Sequence, residues 1–263
     1  MRIAMGVEYA GTAFAGWQLQ DGVRTVQGCV EQALATVADH PVRVFCAGRT
    51  DAGVHASGQV IHFDSEALRS PRAWVFGANA HLPPDVAMLW AQPVSDEFHA
   101  RYSAFRRSYR YVIFNRPIRP SWQQPLVSWV YRPLDAQRMQ QAADALVGEH
   151  DFSSFRAYAC QAKSPVRTVY RLQVQRHGDL VLIDIEANAF LHHMVRNIAG
   201  VLIAIGGGEQ PAEWAAEVLQ HRDRQLGGVT AVPDGLYLCA IEYPPQFAIP
   251  LTMPAMDLSA LGG

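Results

Sequence analysis

The order of predicted secondary structure constrains this chain most, because the same order occurs twice. Hydrophobic periodicity predicts strand, helix, strand, strand, helix, strand in the first part of the sequence and nearly the same order in the second. The predicted segments are 2–9, 26–38, 42–46, 59–63, 71–80 and 86–91, then 108–115, 136–147, 168–176, 180–187, 190–205, 211–219 and 236–243. Pro71 suits a first helical turn, Asp135 an N-cap and Gly148 a helix end.

This repeated βαββαβ plan predicts an α+β fold. We expect two ferredoxin-like halves whose strands form an extended, mostly antiparallel sheet, with helices on one face and a central cleft. The boundary is predicted near residues 97–106, which gives domains of residues 1–104 and 105–263.

A loop that carries one carboxylate follows the predicted strand 42–46. Its sequence is GRTDAGVHA, residues 48–56, with Asp51 two residues after Arg49. Gly48 and Gly53 permit a sharp turn and a close approach of a ligand to the backbone. An arginine this close can keep a carboxylate ionised, as a nucleophilic or basic aspartate requires. A plain surface turn uses the same residue types, so both interpretations stay open at this point.

Charge is distributed unevenly along a chain whose net charge is only −2. Residues 98–134 contain no acidic residue, and residues 152–178 form a second acid-free window. The basic residues of these windows are Arg101, Arg106, Arg107, Arg110, Arg116, Arg119, Arg132, Arg156, Lys163, Arg167, Arg171 and Arg176. Such clustering predicts a basic face on a nearly neutral protein. The excess of arginine over lysine has an equally good explanation in codon bias.

Aromatic residues are interleaved with the arginines of the first window. Cations on phosphates and rings against unpaired bases are the usual grip on single-stranded RNA. In the predicted strand 108–115, Tyr109 shares a face with Tyr111 and Ile113 and enters the strand beside the arginines. We therefore single out Tyr109 and expect most other rings to lie in the core.

Several classes of protein are excluded by what the sequence lacks. The four cysteines include no C-x-x-C pair, which argues against a zinc ribbon, a redox dithiol or a disulfide framework. No apolar run approaches the roughly 18 residues of a membrane span, and the first residues do not resemble a signal peptide. We expect a cytoplasmic protein without membrane contact.

The predicted helix 190–205 carries a cation among apolar residues. Arg196 there requires a carboxylate partner, and Asp51 across the cleft is the natural candidate, although the side chain could instead extend to solvent. Adjacent His192 and His193 would point about 100° apart on a helix and would share a metal poorly. No metal is predicted.

Five segments together resemble the bacterial tRNA pseudouridine synthase A (TruA) family. They are YAGTAFAGWQLQ with TVQG near the N-terminus, GRTDAGVHA, RRSYRY, NAFLHHMVRN and DGLYLCAIEY, and they occur in order from about residue 8 to residue 243. Ser108 departs from the basic or larger residue that is more common in the family, which puts a phosphate contact in doubt but no catalytic group.

The resemblance implies an isomerase that converts uridine to pseudouridine at positions 38, 39 and 40 of the tRNA anticodon stem-loop, without metal or cofactor. It implies Asp51 as nucleophile, on either ribose C1′ or uracil C6, Tyr109 as the ring that stacks on the uracil, and Arg196 as the partner of the aspartate. It also implies a homodimer that holds one tRNA across both subunits. The remaining substrate-binding candidates are Arg49, Arg107, Arg110, His55 and His193.

Two other functions compete with this interpretation. An aspartic hydrolase needs two facing carboxylates, and no second D-[ST]-G motif occurs. A non-catalytic RNA-binding protein of the same fold would explain the basic and aromatic residues, but not the separate motifs around Asp51 and Arg196. It stays as the alternative.

Overall fold

The computed structural model describes residues 1–158 and 160–251. These residues form two compact units. Unit 1 comprises Met1–Arg107 together with residues 237–251, and unit 2 comprises Ser108–Leu236. The chain therefore leaves unit 1, builds unit 2, and returns to unit 1 for its last strand. The division into domains 1–104 and 105–263 stays a prediction, and each unit is described by itself.

The helices and strands follow the predicted order with two additional strands. The strands are β1 (Arg2–Tyr9), β2 (Phe45–Cys46), β3 (His55–Asp64), β4 (Val86–Val94), β5 (Arg106–Asn115), β6 (Ser128–Val130), β7 (Gly148–Asp151), β8 (Val166–His177), β9 (Leu180–Ala187) and β10 (Leu236–Glu242). The helices are α1 (Val26–Ala38), α2 (Pro71–His81), α3 (Ala136–Asp144), α4 (Met194–Gly206) and α5 (Trp214–His221). The protein is thus mixed α/β, and most of its strand pairs are antiparallel.

Unit 1 is built on three antiparallel strands in the order β4-β1-β3. The short strand β2 pairs with β3, and β10 adds to β3 in parallel through Tyr237 opposite His55. Helix α2 covers one face, where Trp74 packs edge-to-face on Phe63 with ring centroids 5.1 Å apart. Helices α1 and α2 begin at the predicted residues 26 and 71. The structure adds that the Thr25 and Ser70 hydroxyls accept backbone N–H groups of the first turn.

Unit 2 is built on strands in the order β5-β9-β8-β7, with β6 parallel to β5. Asp135 caps α3 as predicted, because its carboxylate accepts the N–H groups of Gln137 and Arg138. Helices α3 and α4 approach closely where a Cβ on Gly206 would lie 2.6 Å from Met139. Residues of α3 and α4 together with β9 supply half of the buried apolar residues of this unit.

The structure corrects four predicted segments. Only Phe45–Cys46 of the predicted strand 42–46 forms ladder bonds, although Val42 and Val44 are buried. Helix α3 ends at Asp144 rather than residue 147, and Gly148, with φ +113°, begins the unpredicted strand β7. Helix α4 begins at Met194, not at residue 190, because His193 adopts the left-handed conformation with φ 62°. Helix α5 begins at Trp214 rather than residue 211.

Two further findings concern the helices. In the described residues, none of the helices is long and apolar enough to cross a membrane. The three glycines 206–208 end α4, since the N–H groups of Gly207 and Gly208 donate to the carbonyls of Ile203 and Ile205.

Candidate functional site

In unit 1, backbone contacts hold the loop that carries Asp51. The Thr50 carbonyl accepts the Trp17 N–H at 3.0 Å, and the Asp51 carbonyl accepts the Val54 N–H at 3.2 Å. Gly16, with φ +97°, packs so closely that a Cβ there would lie 2.8 Å from the Thr50 oxygen and 3.2 Å from the Asp51 carbonyl carbon. Only glycine fits this approach, so residues 10–17 act as a backbone support under the loop.

A buried polar network fixes the same loop from its other side. The hydroxyls of Tyr9 and Thr50 are hydrogen-bonded at 2.8 Å. The Gln59 side chain donates to the Gly48 carbonyl at 2.6 Å and accepts the Gly48 N–H at 3.3 Å. Asp51 itself is half-buried. A single carboxylate is therefore presented from a rigid loop, which is the arrangement that catalysis by a fixed group requires.

His55 follows this loop and lies in the interior of unit 1, 1% exposed. Its Nδ1 accepts the Gly11 N–H at 3.0 Å, which places the proton of the neutral ring on Nε2. The ring stacks on Tyr237 of β10 with centroids 4.7 Å apart and planes 18° apart. Burial raises the pKa of the Tyr237 hydroxyl. His55 thus joins β10 to the base of the Asp51 loop.

Cys46 is the nucleophilic group nearest to the loop in sequence. Burial raises the pKa of its thiol to about 12, against the opposing charges of Arg49 and Arg101. The thiol stays protonated at neutral pH and is a poor nucleophile. Cys46 therefore does not compete with Asp51 as a nucleophile.

The two predicted arginine contacts of unit 1 differ in environment. Arg49 is exposed. Arg107 is half-buried, and its guanidinium donates to the carbonyls of Ala104 at 2.9 Å and Arg101 at 2.7 Å. Arg107 therefore holds the turn that precedes β5.

In unit 2, Tyr109 lies on β5 and is half-buried. Its ring packs edge-to-face on Phe190, with centroids 4.9 Å apart and planes 77° apart. This geometry is favourable for aromatic pairs and orients the Tyr109 ring.

Arg110, the next residue, has a different environment. Its guanidinium donates both to Asp184 Oδ1 at 2.7 Å and to Oδ2 at 2.9 Å. The two side chains are only 18% and 12% exposed, so this bidentate pair is a structural link between β5 and β9.

Arg196 is in the first turn of α4 and is half-buried. Its Nε donates to the Ala231 carbonyl at 2.8 Å, and its own carbonyl accepts the Ala231 N–H at 3.1 Å. A Cβ on Gly200 would overlap the Val229 carbonyl oxygen. The segment 229–231 therefore lies directly against α4 and orients the arginine.

His192 and His193 precede α4, so the helical geometry expected for them is wrong. Their ring centroids are 4.0 Å apart rather than turned away from each other. The argument against a shared metal from a 100° separation therefore does not hold. His192 is exposed and its carbonyl accepts the Ala157 N–H at 2.9 Å, whereas His193 is half-buried.

Five of the eleven arginines of the acid-free windows, Arg110 among them, meet carboxylates from other parts of the same unit. Arg106 pairs with Glu242, Arg116 with Asp179, Arg132 with Glu209, and Arg171 with Glu186. A window without acids in sequence is thus not a surface without acids. Among the described residues, Arg49, Arg101 and Arg119 are exposed arginines that form no ion pair.

Sequence reasoning missed the residues that support the loop. Tyr9, Thr50 and Gln59 form the buried network, and only Gln59 carried a signal, as an amide among apolar strand residues. A buried amide needs partners, and the Gly48 backbone supplies them.

The comparisons with known proteins agree with these motifs. A family described as "tRNA pseudouridine synthase" matches residues 5–103 and 142–244. The chain belongs to the tRNA pseudouridine synthase family. Three relatives carry the name "tRNA pseudouridine synthase A". That of Nitrosococcus oceani is 63% identical over 95% of this chain and 96% of its own length. Those of Coxiella burnetii (strain Dugway 5J108-111) and Pseudomonas aeruginosa are 57% and 58% identical, each over 95% of this chain and over 95% and 88% of their own lengths.

The segments that match the tRNA pseudouridine synthase family contain only some of the candidate residues. Asp51 and Arg196 lie inside the matched segments, whereas Tyr109 lies between them. The full-length relatives span this interval as well, because their similarity covers nearly the whole chain.

Proposed function

We propose that this tRNA pseudouridine synthase converts uridine to pseudouridine at positions 38, 39 and 40 of the tRNA anticodon stem-loop. The activity class follows from the family: the protein is an isomerase that acts on uridine in tRNA. The observation that carries the proposal is Asp51, one carboxylate on a loop fixed by backbone contacts and a buried polar network.

The reaction breaks the N1–C1′ bond, turns the uracil, and forms a C5–C1′ bond. The C5 proton leaves and N1 gains one, so atoms and electrons balance within the substrate. We propose Asp51 as the nucleophile that is covalently bound to the substrate between these steps, through either ribose C1′ or uracil C6. No redox change occurs, and the proposal invokes no cofactor and no metal.

We propose that Tyr109 stacks on the target uracil and helps to remove the C5 proton. Its edge-to-face contact with Phe190 supports this role because it limits the ring to one orientation. A base paired in a stem must first be extruded, at a cost of a few kcal/mol, and a fixed ring would offset part of that cost.

We propose Arg196 as the cation that pairs with Asp51 in the active site. Its Nε bond to the Ala231 carbonyl supports this role, since it fixes the orientation of the guanidinium. Arg49 and His193 are proposed to contact the RNA. Arg107, Arg110 and His55 are proposed to support substrate binding indirectly. They hold, respectively, the turn before β5, the pairing of β5 with β9, and the base of the Asp51 loop.

The proposed assembly is a cytoplasmic homodimer that holds one tRNA across both subunits. Each subunit would contain two ferredoxin-like halves, residues 1–104 and 105–263, around a catalytic cleft. Light scattering of the purified protein with and without tRNA tests the subunit number and the stoichiometry of one tRNA per dimer.

Tritium release from [5-³H]uridine-labelled tRNA tests the reaction. Asp51→Ala should lower turnover by at least about 10³-fold, because the nucleophile is lost, while the Kd for tRNA stays within about threefold. Asp21→Ala, an exposed acid of the same unit, is the matched control and should be active. A large loss of tRNA binding in Asp51→Ala would contradict the assigned role.

Substrate variants test the positions. Transcripts in which uridine is retained at only one of positions 38, 39 and 40 should each release tritium, and a transcript with none should release no more than background from these positions. Release that is independent of all three would contradict the position assignment. An inactive parent protein that still binds tRNA would favour the non-catalytic RNA-binding alternative.

A further inference from the structure

Unit 1 carries a cluster of rings that the proposed reaction does not use. Phe45 of β2, His99 and Tyr102 form it, and we name these three residues the aromatic patch. His99 is central, with its ring centroid 5.6 Å from Phe45 and 4.4 Å from Tyr102. Phe45 also stacks on buried His62, at 5.1 Å and 20°.

The outer rings of the aromatic patch are open to solvent. Tyr102 is 76% exposed and Phe45 is 47% exposed. Val42 and Val44, which precede Phe45 in sequence, are buried, so Phe45 is an outward residue in an otherwise inward apolar run. Exposed rings grouped in this way mark a binding surface more often than scattered ones do.

The turn that displays Tyr102 is rigid. The Ala100 N–H donates to His62 Nδ1 at 3.1 Å, and the Ala100 carbonyl accepts the Tyr243 hydroxyl. The Arg101 carbonyl accepts the Arg107 guanidinium at 2.7 Å. A side chain on a turn held at three points loses little further freedom when it binds a ligand, which favours affinity.

The charge around the aromatic patch suits an anionic ligand. Arg101 lies beside the Tyr102 ring, 5.7 Å from its centroid, and is exposed. The positive charges of Arg49 and Arg101 both oppose the rise in the pKa of the Cys46 thiol, so both cations lie near the residue that adjoins Phe45. Neither arginine forms an ion pair in the described part of the chain.

His99 of the aromatic patch contributes a flat, uncharged ring. His99 Nδ1 accepts the N–H groups of Arg101 and Tyr102 at 3.1 and 3.3 Å. Burial, followed by the charge of Arg2, lowers the pKa of His99, so its ring is neutral at neutral pH. Two exposed rings around a neutral imidazole, with cations at the rim, form a surface for stacking.

We propose that the aromatic patch binds an unpaired base of the tRNA other than the target uridine, with Arg101 and Arg49 on the flanking phosphates. Rings against bases and arginines against phosphates are the recognised combination for single-stranded RNA. Phe45 precedes Asp51 by six residues, so their Cα atoms are at most about 22 Å apart and one RNA can reach both. This inference rests on the proposed function for the identity of the RNA.

A second exposed ring in the same unit provides a matched control. Phe76 on α2 is 59% exposed and has Arg72 at 4.3 Å from its centroid. Phe63 faces α2, whereas the neighbouring His62 faces the aromatic patch, so the two rings lie on opposite faces of β3. Phe76→Ala therefore removes a ring and disturbs an arginine without touching the proposed surface.

The experiment measures the Kd of fluorescently labelled tRNA transcript by anisotropy at one fixed salt concentration. Tyr102→Ala and Phe45→Ala should each raise Kd roughly 5- to 150-fold, the range for loss of one base–aromatic stack. Tyr102→Phe should stay within about twofold of the parent, since the ring is kept. Phe76→Ala should leave Kd unchanged. Thermal unfolding monitored by circular dichroism identifies any variant that fails to fold, and Tyr102 is exposed enough to tolerate replacement.

Single-turnover tritium release at saturating protein separates this inference from the proposed function. The patch variants should reach the parent's rate once saturated, because Asp51 is untouched. An unchanged Kd in Tyr102→Ala, or an equal rise in Phe76→Ala, would overturn the inference and leave the patch to a protein partner. If the parent releases no tritium but the patch variants lose tRNA affinity, the proposed reaction fails and the stacking site stands.

Discussion

Replacement of Gly16 by alanine tests whether backbone contacts position Asp51. Gly16 has φ +97°, and a Cβ there would lie 2.8 Å from the Thr50 carbonyl oxygen and 3.2 Å from the Asp51 carbonyl carbon. Ordinary van der Waals contact begins near 3.4 Å. The loop must therefore retreat by about 0.6 Å at Thr50 and less at Asp51, in addition to the strain of the backbone angle.

The size of the effect follows from these distances. Misplacement of a reacting group by about 1 Å is associated with losses near 10²-fold, so a shift of about half that should reduce kcat/KM roughly tenfold. Overpacking adds about 1–3 kcal/mol to the strain that alanine meets at a positive φ. For a chain of this size, each kcal/mol lowers Tm by about 2–4 °C.

Gly22→Ala is the matched control for this replacement. Gly22 also has a positive φ, +77°, and lies in the same segment of unit 1, but a Cβ added there would have no atom of the described residues within 4 Å. Gly22→Ala should lower Tm through backbone strain alone and leave kcat/KM of the folded protein unchanged. Tritium release at subsaturating tRNA measures kcat/KM, and circular dichroism measures Tm. Equal activity in the two variants would refute the reasoning that residues 10–17 position the loop.

Three further predictions concern stability and charge. Asp184→Asn should lower the free energy of unfolding, measured in urea, by about 3 kcal/mol, because it leaves Arg110 buried without a carboxylate. The double variant with Arg110→Met should recover part of this loss. A double variant whose loss is the sum of the two single losses would contradict this reasoning. Burial, then the charges of His99 and Arg2, lowers the pKa of His62 to about 4, below its ordinary 6.5. As pH falls, the His62 imidazole of the unfolded chain binds a proton before that of the folded protein. The stability contributed by neutral His62 is therefore complete above about pH 6.5 and is lost as pH falls through about 4. His62→Gln should show a smaller fall of the urea midpoint between pH 7 and 5 than the parent, and equal falls would speak against the assignment. Arg49→Gln should reduce the slope of log Kd for tRNA against log salt by about 1, and an unchanged slope would remove Arg49 from the RNA contact.

The sequence predicts the regular elements of this fold well where local chemistry decides them. Strand β1 and helix α1 have the predicted bounds, since the hydrophobic periodicity that predicts them is a local signal. The short strands β6 and β7 escape prediction, because they depend on a partner strand rather than on their own pattern. The start of α4 is misplaced because periodicity does not reveal that His193 takes a left-handed conformation.

In the candidate site, too, the sequence predicts some features and not others. The motif that carries Asp51 is visible in the sequence, and its family is recognisable from it. The bonds that fix the loop join Tyr9 to Thr50, 41 positions apart, and Gln59 to Gly48, 11 positions apart, and no spacing rule predicts them. The acid-free windows predict a basic face, yet Arg110 is paired with Asp184, more than 70 positions along the chain. Charge counted along a sequence does not include the acids that folding brings near.

The return of the chain to unit 1 has a consequence for its biosynthesis. Residues of β3 beside the Asp51 loop pair with Tyr237 and Leu238, which are translated only after the whole of Ser108–Leu236. At about 5–20 residues per second, the ribosome needs on the order of 10 s to make that segment. During this interval the edge of β3 and the ring of His55 lack their final cover, and an open strand edge is prone to wrong pairing. The nascent chain therefore completes the surroundings of His55 last, and a truncated translation product that lacks β10 lacks the Tyr237 ring that covers His55 at the base of the Asp51 loop.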